Sequence, residues 1–172
     1  MNSYAFTIVM NRRPTDDELK SLFAHGRDDA AYGVENGLPI AEFDREAPTM
    51  AEAIASAVKE LDAVGIRALR LIDQDLLTLA DLADKLGLSR EAVRRYSTGE
   101  RGPGGFPPPV SPTRSGTTFY RWSEVAPWAR QRLDLDVPDV DAALVVANLL
   151  LQARQHRDQV PNLVALTDLL TS

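Results

Sequence analysis

Between Thr78 and Tyr96 the sequence TLADLADKLGLSREAVRRY prescribes two short helices and the bend between them. Thr78 can accept the free amides that open the first helix, and Asp81, three residues on, can return the bond, close to a capping box. Leu79, Leu82 and Leu86 recur at helical spacing as an inward stripe, and Ala83 is small where two helices must come close. Gly87 supplies the positive φ of a sharp turn, Leu88 points back into a small core, and Ser89 caps the second helix. Val93 and Tyr96 face inward from that helix, which leaves Arg90, Glu91, Arg94 and Arg95 outside. The expectation is a helix-turn-helix; the blander alternative is a helical hairpin whose arginines are only solvated.

The residues that follow narrow the choice. Gly99 to Gly105 (GERGPGG) reads as a flexible loop, and Phe106-Pro107-Pro108-Pro109-Val110 as an extended segment that proline bars from a central strand. Thr113-Arg114-Ser115-Gly116 reads as a hairpin tip and Thr117 to Trp122 as the returning strand. Ser123 is expected to cap a third helix, with Glu124 in its first turn and Val125, Trp128 and Leu133 facing inward.

This succession (helix-turn-helix, FP-x-P-V segment, basic hairpin, Tyr-Arg-Trp strand, S-E-V-x-x-W helix) resembles the DNA-binding domain of MerR-type regulators and phage excisionases over roughly residues 78–133. The resemblance implies a winged helix-turn-helix whose second helix enters the major groove of double-stranded DNA while the wing touches backbone or minor groove. The matching positions are Ser89, Arg90, Glu91, Arg94 and Arg95 on the helix and Thr113, Arg114, Thr117 and Arg121 around the wing. Arg101, in the loop between them, joins the same basic surface. Phe106, Trp122 and Trp128 match core aromatics. The chain departs from the pattern in the long glycine-rich stretch after Tyr96 and in carrying this domain behind an α/β one.

Charge is distributed to suit that reading. Residues 1–77 carry eight Lys/Arg against fourteen Asp/Glu, residues 78–132 nine against five, and residues 133–172 two against six. Attraction to phosphate needs local cations, and only the middle has them in surplus.

Ahead of this segment, Tyr4 to Met10 reads as a strand, and Thr15 opens a helix with Asp16, Asp17 and Glu18 in its first turn and Gly26 as its stop. Ala30 to Glu35 and Leu38 to Phe43 are two strands joined at Asn36-Gly37. Thr49 caps a helix that Gly65 ends, and Ile66 to Ile72 is a half-buried strand. The order β-α-β-β-α-β over residues 1–77 predicts a ferredoxin-like domain, open to a small ligand or a protein partner. After a linker at residues 134–138, Asp139 or Asp141 starts a helix running to about Arg157, and Pro161-Asn162 opens a short last one from Leu163 to Leu170. Val140, Leu144, Val145, Leu149 and Leu151 point around more than half of the longer helix, which predicts a homodimer contact. The fold class is therefore α+β: an α/β domain at 1–77, a winged helix-turn-helix at 78–133 and a helical segment at 134–172.

No enzyme is expected. No serine or acid has a visible catalytic partner, and Arg101-Gly102-Pro103-Gly104-Gly105 lacks the Lys and Ser/Thr of a phosphate loop. Cysteine is absent, and His25 and His156 lie far apart, so neither a metal nor a cofactor is expected. Asp16-Asp17-Glu18, Asp28-Asp29 and Asp44/Glu46 read as helix-start acids and solvated loops rather than cation sites. His25 reads as a helix-end residue. No apolar run reaches the roughly 18 residues of a membrane span, and Met1 to Met10 lacks a basic leader or cleavage site, so the expected location is the cytoplasm. The expected function is a dimeric, sequence-specific transcriptional regulator, a repressor; an antitoxin that controls its own operon, or an interaction module with a structural helix-turn-helix, are the alternatives.

Overall fold

The computed structural model describes residues 1–24, 28–72, 75–112 and 116–171. The chain is α+β, with a four-stranded antiparallel sheet and seven α-helices among the described residues. It divides into two compact units. One joins Met1–Ile72 to Ala142–Ser172, and the other is Asp73–Asp141. The expected third segment is thus split: residues 134–141 belong with the second unit and the C-terminal helices with the first.

In the first unit the elements run β1 (Asn2–Met10), α1 (Asp16–Phe23), β2 (Ala30–Glu35), β3 (Leu38–Ala47), α2 (Met50–Ala63) and β4 (Ala68–Leu71), and the sheet order is β2-β3-β1-β4. Alternation places Phe6, Ile8 and Met10 of β1 and Ala41, Phe43 and Ala47 of β3 on one buried face. Phe6 and Phe43 are register partners and stack at 5.2 Å between ring centres. Asn36 and Gly37 both take positive φ (48° and 81°), as a tight hairpin turn requires. The stripe Ala53, Ile54, Ala57 and Leu61 of α2 covers the same face. α1 starts at a complete capping box between Thr15 and Glu18, and its final turn is closed by Ala24; Gly26 and His25 lie outside the described residues. The strand expected from Ile66 starts only at Ala68, because Ile66 closes the end of α2 (N–H to the Leu61 carbonyl, 2.9 Å) and the Arg67 amide is held by Asn11 Oδ1.

The C-terminal helix α6 (Ala142–Arg154) belongs to this unit and covers its edge strand. It starts at Ala142 rather than at Asp139 or Asp141 and ends at Arg154. The Leu71 amide of β4 donates to Asn148 Oδ1 at 3.0 Å, and the Ala68 and Leu69 carbonyls accept from Arg154 and Gln155. An edge strand's unpaired backbone groups are thereby satisfied. Leu144, Ala147 and Leu151 pack on the sheet core, whereas Val146, Leu149 and Leu150 are exposed. A short helix α7 (Val164–Thr167) and a 3₁₀ turn (Asp168–Leu170) follow.

In the second unit β5 (Leu76–Leu77) pairs antiparallel with β6 (Tyr120–Arg121) and frames α3 (Leu79–Leu86), α4 (Arg90–Thr98) and α5 (Trp122–Leu133). Asp75 to Leu77, expected at the end of the α/β domain at 1–77, are therefore part of this unit. The returning strand is shorter than expected: besides β6, one bond from the Val110 amide to the Phe119 carbonyl (2.9 Å) ties the proline segment to it. The proposed tip at Thr113, Arg114 and Ser115 lies outside the described residues. Leu82, Leu86, Val93, Trp122, Val125 and Trp128 form the buried core. No described helix is long and apolar enough to cross a membrane.

Candidate nucleic-acid interface

α3 and α4 are set by local chemistry. Thr78 and Asp81 complete a capping box, Gly87 sits at φ 65° with its N–H turned back onto α3, and Ser89 Oγ accepts the Ala92 amide at 3.1 Å. Val93 is then the buried residue of α4, and Ser89, Arg90, Glu91 and Arg95 are exposed on the other side, with Arg94 partly so.

The arginines of α4 are not equivalent. Arg94 donates to both oxygens of Glu91 and both oxygens of Glu100, each at 2.9 Å, and Arg95 donates to Glu91 at 3.0 Å. The Arg94 hydrogen bonds, then those of Arg95, hold the Glu91 carboxyl down at about 2, and Arg94 likewise lowers Glu100. Reciprocally, Glu91 and then Glu100 raise the Arg94 guanidinium above its ordinary value. Two arginines and two glutamates thus form a neutral cluster on the solvent side of the helix. Arg90 has no ion pair among the described residues. It lines a concavity of about 380 Å³ with Thr78, Leu79 and Ala80 at the start of α3 and with Gly116, Thr117 and Thr118 of the returning segment.

The remaining candidates are placed as follows. Arg101 is exposed, with its backbone N–H on the Arg95 carbonyl (3.2 Å). Thr117 is exposed on the rim of that concavity. Arg121 instead pairs with buried Asp75 at 3.0 Å at the base of the unit. Thr113 and Arg114 lie outside the described residues.

Sequence reasoning missed three features. α5 begins at Trp122, not after a Ser123 cap; Asp75 Oδ1 receives the Ser123 amide at 2.7 Å from 48 residues away. The glycine-rich stretch is not a free connector. Trp128 Nε1 donates to the Gly104 carbonyl at 3.0 Å, and a Cβ on Gly102 would meet the Tyr96 ring at 2.4 Å. Glu100 comes back to Arg94 because Gly99, in the left-handed region, reverses the chain after α4. A capping glycine followed by an acid was the available signal for that contact.

Comparison with protein-family models, curated proteins and solved structures finds no match. Of the acidic groups elsewhere, Glu42, Asp44 and Glu46 are exposed, but Asp29, expected as part of a solvated loop, is drawn into an ion pair with a buried arginine. Asp29 and Glu60 bind the buried Arg45 at 2.8 and 2.6 Å, and Glu18 binds Arg12. Among the described residues no group of three or more His, Asp or Glu is placed to hold a metal ion.

Proposed function

We propose that this chain is a sequence-specific double-stranded DNA-binding regulator, a cytoplasmic repressor, whose second unit is a winged helix-turn-helix of the MerR and excisionase type. The observation that carries the reading is the pair α3 and α4, hinged at left-handed Gly87, with Val93 inward and Arg90, Arg94 and Arg95 on the opposite face. A helix so placed suits the major groove. Arg90 and Thr117, on one concavity beside the start of α3, suit a phosphate of the same duplex. The sheet order β2-β3-β1-β4, antiparallel throughout, supports reading the first unit as ferredoxin-like.

A second reading, a protein-interaction module in which the helix-turn-helix is structural, is favoured by the neutrality of the α4 cluster and by Glu42, Asp44 and Glu46, which are exposed along β3. Selection from a random duplex library, followed by anisotropy titration at several salt concentrations, separates the two. The regulator enriches a discrete motif and loses affinity with salt in a log-log relation. Arg94→Ala or Arg95→Ala then costs about 1–3 kcal/mol and relaxes sequence preference. No binding at low salt overturns the proposal.

A further inference from the structure

The first unit presents an apolar groove of about 480 Å³ between α2 and α6, lined by Ile54, Val58, Val146, Ala147 and Leu150 and edged by Lys59. Ala51 and Ala55 keep its α2 wall low. The same unit carries an apolar segment without a seat: Val164, Leu166, Leu169 and Leu170 are 64%, 54%, 70% and 70% exposed. Leu163, Leu166 and Leu170 follow the i, i+3, i+7 spacing by which an amphipathic helix lies in a groove.

We propose that the groove seats the C-terminal segment, about Leu163 to Leu170, of a second copy of this chain, each copy giving its segment to the other. Exchange in both directions makes a closed, self-complementary contact. Area favours this occupant. The exposed parts of Val146, Leu150, Val164, Leu166, Leu169 and Leu170 amount to on the order of 600 Å² per copy, or about 1,200 Å² for the pair, at the lower bound of the roughly 1,200–2,000 Å² of stable interfaces. Charge agrees: residues 158–172 carry Asp158 and Asp168 and no Lys or Arg, while at the groove Asp62 is neutralised by Arg154 (2.8 Å) and Lys59 is exposed with no ion pair among the described residues. This contact goes beyond the DNA-binding proposal and does not depend on it.

The absence of cysteine makes the test direct. Val146→Cys and Leu166→Cys are introduced in separate chains, one lengthened by a tag, and the two are mixed and treated with a short bismaleimide. The expected product is the mixed covalent dimer, several-fold more abundant than either like pair. In sedimentation the intact chain runs as two copies at micromolar concentration. Leu150→Asp and Leu169→Asp/Leu170→Asp each run as one, with the far-ultraviolet circular dichroism of the folded chain retained because these side chains are half or more exposed within one copy. A monomeric intact chain overturns the proposal, as does loss of the dimer in Leu150→Asp but not in the segment variant. A doubly substituted chain that links only within itself also overturns it, and shows that the segment folds back on its own groove. DNA titration of the Leu169→Asp/Leu170→Asp variant on a single half-site reads the other proposal separately, since α4 is untouched and one copy suffices there.

Discussion

Glu100 grips Arg94 from six residues away, and does so with both carboxylate oxygens at 2.9 Å. With Glu91 on its other side, the part-exposed Arg94 guanidinium is held by acids of its own domain. Binding to phosphate or guanine must displace them. Over the folded unit, Asp73–Asp141, the surplus counted for residues 78–132 is gone: nine Lys/Arg stand against eleven Asp/Glu, and Arg121 pairs with Asp75 and Arg130 with Asp139. On the proposed DNA-binding function, the expected consequences are a weak general attraction to the duplex and a sharper dependence on the right sequence.

Glu100→Gln tests that competition. It removes one acid and releases half of the grip on Arg94, so affinity for arbitrary duplex should rise several-fold. The log-log salt slope should steepen by up to about 0.9 for each phosphate newly reached. An unchanged slope in anisotropy titrations means that Arg94 does not reach the backbone.

The pH dependence of the cluster has a definite sign. Folding lowers the Glu91 carboxyl from an ordinary 4.5 to about 2, through Arg94 first and Arg95 next. Such a group lends stability that is complete above its unfolded value and drains away as pH falls from about 4.5 toward 2. Glu91 is in solvent, so the effect is small in energy but visible in titration. Carboxyl-detected NMR should put the Glu91 midpoint well below 4.5, and Arg94→Ala should raise it. A midpoint near 4.5 in the intact protein rules the grip out.

Gly102→Ala should destabilise the second unit by about 1–3 kcal/mol. Its φ is 94°, and the new Cβ would stand 2.4 Å from a Tyr96 ring that is itself packed edge-on against Trp128. Thermal unfolding monitored by tryptophan fluorescence reads this directly, because Trp122 and Trp128 both lie in that core. Gly105→Ala, at φ 68° with open space around it, should cost less.

Asn148→Leu should cost about 1–3 kcal/mol although it makes an apolar helix more apolar, because it strands the buried Leu71 amide. Leu149→Ala, at the exposed neighbouring position, should change stability by less than about 0.5 kcal/mol. Paired chemical-denaturation curves decide between this and a purely hydrophobic role for α6.

What could be read from the sequence was what neighbours in sequence determine. Thr15, Thr49, Thr78 and Ser89 cap helices through amides three residues ahead, so their role is written locally. Asn36-Gly37 and the alternation of β1 and β3 are likewise short-range signals. Asp75 and Asn148 act across 48 and 77 residues and leave no periodicity. Ser123 satisfied every local rule for a cap and lost the position to a buried carboxylate brought by β5. At the candidate interface, spacing located the arginines, but their partners came from the folded loop beyond Gly99.

That α6 completes the sheet has a consequence for biosynthesis. The carbonyls of Ala68 and Leu69 and the amide of Leu71 wait for side chains translated some seventy to ninety residues later. The unit ending at Asp141 leaves the ribosome whole before the unit that begins at Met1 can close. The usual amino-terminal-first order of domain folding is therefore inverted in this chain, and the nascent sheet spends that interval with its β4 edge bare.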